Sequence, residues 1–137
     1  MSRCPDVSVG VVIRKDESVL MVDRTEHPIG WACPGGHLLQ DETPETAVRR
    51  IVAAATGLKV TEFHVGHRGI IESECNAGFD THDWWVFFVD KYEGEPERKE
   101  PKKHRAVKWQ ARTDLPKLIL DPAWREIFQK INFIPAA

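Results

Sequence analysis

The sequence has little that would tie it to an oxidising compartment, a membrane or a nucleic acid. Its three cysteines, Cys4, Cys33 and Cys75, are odd in number and show no C-x-x-C spacing. Neither a disulfide framework nor a zinc site is suggested, and they read as reduced thiols of a cytoplasm. No window comes near the roughly 18 continuous apolar residues of a membrane span, and Met-Ser-Arg-Cys-Pro-Asp carries no apolar secretion signal. A soluble, cytoplasmic protein with no membrane partner is therefore expected. Charge of one sign is missing too: 19 Lys and Arg against 21 Asp and Glu leave a formal charge of −2. Without the basic excess that phosphate-backbone binding shows, no nucleic-acid partner is expected. Internal repeats and low-complexity tracts are also lacking. What is present is 137 residues, 42% hydrophobic and 29% charged, the composition of a globular chain with one core. A single domain over residues 1–137 is expected, its core running from about Val7 to Ile131.

The patterning predicts alternating strands and helices. Val7 to Ile13 is rich in β-branched residues, breaks at Arg14-Lys15-Asp16-Glu17-Ser18 and resumes as Val19 to Val22, which reads as a strand, a polar turn and a returning strand. Gly30 to Cys33 is a short apolar piece that stops at Pro34-Gly35-Gly36, where a turn with glycine at positive φ is expected. Thr43-Pro44 supplies a helix N-cap followed by proline at the first helical position. Ala47, Val48, Ile51, Val52 and Ala55 then recur at helical spacing before Thr56-Gly57. Leu58 to Ile71 reads as an extended stretch interrupted by Gly66 and Gly69, and Trp84 to Val89 as a buried strand. Glu93 to Arg105 reads as a charged loop, Ala106 to Trp109 as a short strand and Pro122 to Ile131 as a second helix.

Phosphate chemistry needs backbone N–H groups, a divalent cation and several carboxylates converging on one place. The run Gly36-x5-Glu42-x7-Arg50-Ile-Val-Ala-Ala-Ala-Thr-Gly57-Leu58 resembles the Nudix box, G-x5-E-x7-R-E-U-x-E-E-x-G-U with U aliphatic. Trp31-x-x-Pro-Gly-Gly36, Glu100-Pro101-x-Lys103 and Asp114-Leu115-Pro116 before a helix are similar to the same family. The resemblance implies an α/β fold, a Nudix-type α/β/α sandwich around a mixed β-sheet. It also implies action on, or binding of, a nucleoside diphosphate-linked small molecule, with Mg2+ or Mn2+ as cofactor.

The departures from the box bear on catalysis. Its three further glutamates correspond here to Ile51, Ala54 and Ala55, and a hard dication that wants about six oxygens gains nothing from methyl groups. Two readings stay open. In one, a hydrolase of pyrophosphate or glycosyl bonds survives, with a weakly bound metal held by the Gly36 carbonyl, Glu42 and Glu100 and with Arg50 as a further catalytic candidate, or by a metal-independent route that leans on His104. GDP-mannose mannosyl hydrolases are similar in having a thinned box and a histidine base five residues before a Trp, as His104 stands before Trp109. Their remaining box glutamate corresponds to Ala55, however, and their glutamine ligand to Lys103. In the other reading the chain is an inactive ligand-binding or protein-interaction domain with no cofactor.

Each candidate has a bland counterpart. Glu42 also favours a helix start, Arg50 also braces neighbouring acids, and Gly35 and Gly36 also serve the turn alone. His104, beside Lys102, Lys103 and Arg105, reads as either a usable base or a solvated loop histidine. Arg24 is a candidate phosphate contact. Trp31, His37, Phe79 and Trp84 are candidates for stacking on or binding the ligand, with Trp84 and Trp85 on opposite faces of their strand. Lys103 is a candidate phosphate ligand. Dimers are common among similar proteins, which leaves a homodimer open.

Overall fold

The computed structural model describes residues 3–72 and 81–135. Strand β1 (Arg3–Lys15) turns tightly at Asp16, whose φ is 54°, into β2 (Ser18–Arg24). Along β1 alternate side chains go to opposite faces. Val9, Val11 and Ile13 enter one apolar cluster and Val12 the other. Two short strands follow, β3 (Gly30–Ala32) and β4 (Gly35–His37). The expected glycine turn is corrected here. Gly35 and Gly36 are strand residues paired antiparallel with Gly10 and Val9, and neither is among the glycines with positive φ.

Helix α1 (Pro44–Thr56) begins and ends as its sequence predicts. The Thr43 hydroxyl accepts from the Thr46 N–H at 3.2 Å, and Gly57 closes the helix in the left-handed conformation, φ 79°. Its apolar stripe, Ala47, Val48, Ile51 and Val52, joins Val9, Val11, Ile13 and Phe87 in the first cluster. The extended stretch after it is one strand, β5 (Lys59–Glu72), irregular at Gly66 as expected but regularly paired at Gly69. The ladder shifts register between Val65 and His67. A Cβ on Gly66 there would come within 2.3 Å of the Phe88 ring, so that glycine admits a ring across the sheet at a bulge.

Strand β6 (Thr81–Glu93) lies antiparallel to β5 and parallel to β1, which makes the sheet mixed. Strand β7 (His104–Ala111) pairs with β2 along its length and leads through a 3-10 turn at Arg112–Lys117 to α2 (Pro122–Lys130). Helix α2 covers the other face, where Trp124, Ile127 and Phe128 meet Val12, Trp84 and Val86. Gly10 is small because Trp124 crosses it, a Cβ there lying 2.5 Å from the ring. The fold is thus α/β, a mixed sheet flanked by helices. None of the helices among the described residues is long and apolar enough to cross a membrane.

Candidate functional site

A cleft of about 410 Å³ opens between α1, β4 and the start of α2. Helix α1 contributes Arg50, Ile51, Ala54 and Ala55, and the segment before it contributes Gly35, Gly36, His37 and Leu39. These residues share a wall because β4 is stitched onto β1 and the Ile51 side chain lies 3.7 Å from where a Gly36 Cβ would be. The remaining lining includes Arg24 from β2, Trp84 from β6, Glu100, Lys103 and His104 around the start of β7, and Asp121 and Trp124 at α2.

Glu42 does not line the cleft. Its two carboxylate oxygens accept from Arg50 Nε and Nη2 at 2.8 and 2.9 Å, and one of them also accepts the Leu39 N–H at 3.0 Å. Arg50 Nη2 donates to the His37 carbonyl as well, at 3.0 Å. This paired fork holds the 37–42 loop against α1. The Arg50 hydrogen bonds hold the Glu42 carboxyl below its ordinary range, with the Leu39 N–H adding to the effect against desolvation.

His104 is corrected from a solvated loop residue to a buried one. It opens β7 opposite Arg24 and is 8% exposed. A tight turn places it, since the His104 and Lys103 N–H groups both donate to the Glu100 carbonyl, at 2.9 and 3.0 Å. Burial pushes its imidazole below the ordinary value of 6.5. Glu100 opposes this shift, and Arg24 and Lys103 reinforce it. Burial thus favours the neutral form of the ring. Its Nδ1 and the Trp84 Nε1 are buried without hydrogen-bond partners among the described residues, an uncommon situation.

Arg24 Nε donates to the Pro28 carbonyl at 2.8 Å and lies 3.8 Å from Asp121. Asp121 caps α2, accepting from the Ala123 N–H at 2.9 Å. Gly30, at φ +130°, lets the preceding segment pass under it, a Cβ there falling 2.6 Å from the Asp121 nitrogen. Burial raises the Asp121 carboxyl above its usual range, against the pull of the Ala123 N–H and the Arg24 guanidinium. Cys33 also lines the cleft. Burial pushes its thiol well up, which makes it a poor thiolate nucleophile.

Of the residues singled out from sequence, Arg24, Gly35, Gly36, His37, Arg50, Trp84, Glu100, Lys103 and His104 meet in this cleft. Trp31 does not. It packs instead against the apolar cluster under α2, in a segment that bridges to Leu120. Phe79 lies outside the described residues. Asp121, Glu26, Cys33 and His82 line the cleft without having been anticipated. Asp121 carried a signal, Asp before Pro at the head of the second helix, whereas Cys33, in the link between β3 and β4, and His82, in β6, carried no local signal.

The donor set does not fit a resident divalent metal. Gly36 and Glu100 line the cleft, but Glu42 is held by Arg50, and Glu100 lies 3.3 Å from Lys103. Among the described residues no three His, Cys, Asp or Glu side chains are grouped to hold a metal ion, short of the six or more oxygens that Mg2+ or Ca2+ takes.

A sequence model of the NUDIX domain matches residues 5–131. The chain belongs to the Nudix family. Among curated proteins it is similar to a MutT-like protein of Streptomyces ambofaciens, 47% identical over 51 residues. That match covers 37% of this chain and 32% of the relative, about a third of each. Among solved structures it is similar to a MutT NUDIX hydrolase of Burkholderia pseudomallei, with TM-score 0.81, 27% identity and coverage of 92% of this chain and 97% of the other. The NUDIX domain of Shewanella oneidensis NrtR, complexed with ADP ribose, superposes with TM-score 0.71 at 19% identity, over 92% and 85% of the two chains. A MutT protein of Methanosarcina mazei Go1 gives 0.76 at 20%, over 93% and 92%. The last two likenesses establish the fold alone. In this Nudix domain Ile51, Ala54 and Ala55 of α1 all face the cleft.

Proposed function

We propose that this Nudix domain binds a small phosphate-bearing, nucleotide-linked molecule in the cleft between α1 and α2 and does not cleave it by metal-dependent chemistry. One observation carries the reading: the α1 wall is Ile51, Ala54 and Ala55 where a metal centre would need carboxylates. The cleft volume of about 410 Å³ lies within the range of small-molecule sites. Arg24, Arg50 and Lys103 provide cationic contacts for phosphate, and the largely buried Trp84 reaches the lining from the core. ADP-ribose, the ligand in the Shewanella NUDIX domain, is the first candidate to try.

The test is product release from nucleoside triphosphates, dinucleotides and nucleotide sugars with Mg2+, Mn2+ or chelator, run beside calorimetric binding of the same compounds. Saturable binding without metal-dependent release is the expected outcome. Metal-dependent release above a protein-free blank would overturn the reading.

A second reading is favoured by the position of His104. A neutral imidazole on the cleft wall beside Glu100 is suited to take a proton from water without a metal. Turnover that persists in chelator and disappears in His104→Asn would select it over the first.

A further inference from the structure

Two guanidinium groups on the cleft wall have hydrogen-bonding capacity left over. Arg24 uses Nε on the Pro28 carbonyl, and its two terminal nitrogens make no hydrogen bond among the described residues. Arg50 uses Nε and Nη2 on Glu42 and the His37 carbonyl, and its Nη1 makes no hydrogen bond among the described residues. An arginine fork with unused N–H groups at a cleft is suited to phosphate oxygens, which it meets through charge and two-point hydrogen bonding. The acids of the same lining are differently placed. Asp121 is capped onto α2 and faces Arg24, Glu100 faces Lys103, and Glu26 is the single acid that remains. Beside Arg50, the α1 wall offers only the methyl and methylene groups of Ile51, Ala54 and Ala55.

A phosphate-bearing ligand therefore meets donors that want its full negative charge and no carboxylate set that could share its metal. Binding Mg2+ to the ligand's phosphates cancels part of the charge the guanidinium groups attract and occupies oxygens they would use. Resting on the proposed function above, we infer that this cleft selects the metal-free form of its ligand, so that Mg2+ competes with the protein for the phosphates. Magnesium is then an antagonist of binding at this site, and the ligand's affinity reports the free divalent cation concentration.

Titration calorimetry with ADP-ribose and ATP, in chelator and in excess Mg2+ at matched ionic strength, tests this. The expected result is tighter binding in chelator, with ATP losing about fivefold or more in affinity on addition of Mg2+, the factor corresponding to one charge–charge contact in water. Equal or tighter binding in Mg2+ would overturn the inference while leaving the binding function standing. No binding of either probe under either condition would overturn the binding function itself. Arg24→Gln, checked for folding by its thermal melt, is expected to weaken binding in chelator and to shrink the Mg2+ effect. Unchanged binding in that variant would remove Arg24 from the site.

Discussion

The residue that changes role most between sequence and structure is Glu42. The box spacing marks it as a metal ligand or catalytic acid, yet its carboxylate is held by Arg50 and the Leu39 N–H. Glu42→Gln is therefore expected to lower the melting temperature and to speed hydrogen exchange at the Leu39 amide, because a neutral amide replaces the charged acceptor. An unchanged melt and unchanged exchange would contradict a bracing role. His104 carries a pH signature. Its folded pKa lies below 6.5, so the unfolded chain takes up the proton first and stability falls as pH drops from about 6.5 toward the folded value. Urea unfolding of the parent and His104→Gln is expected to show a difference that is constant above about pH 7.5 and moves against the parent as pH falls through 6. A difference independent of pH would mean that the ring is not held neutral by burial.

At the scale of elements, α1 was readable from sequence because its determinants are local. Thr43 as cap, Pro44 at the first position and Gly57 in the left-handed conformation are all where the spacing puts them. Thr43→Ala should cost about 1 kcal/mol by removing the acceptor for the Thr46 N–H, measurable by chemical denaturation. No loss would mean that water replaces the cap without penalty. Strand β4 and the start of β7 were not readable, because each is an extended segment by virtue of a distant partner. Gly35 and Gly36 extend against β1, and His104 is buried opposite Arg24. The same dependence on distant packing sets the size of Gly10. Gly10→Ala places a methyl 2.5 Å from the Trp124 ring and is expected to destabilise by about 1–3 kcal/mol, as overpacking of a dense core does. A neutral effect would require Trp124 to move off the sheet without loss.

For the whole molecule, the two-faced mixed sheet and the cleft between its helices follow from the Nudix topology. The chemistry follows from what faces that cleft. Ile51, Ala54 and Ala55 could be recognised from their spacing relative to Gly36 and Arg50. Their shared wall became visible only once β4 and α1 were placed side by side. Asp121 and Cys33 complete the lining from segments whose joint position no local pattern encodes. The central claim is that this cleft has no divalent metal site of its own. Titration of Mn2+, followed by the electron paramagnetic resonance of the free ion, tests it on the parent protein and on the combined variant Ile51→Glu, Ala54→Glu and Ala55→Glu. The account predicts no saturable Mn2+ binding by the parent and a new site in the variant. A saturable site in the parent that disappears in Glu100→Gln would contradict it.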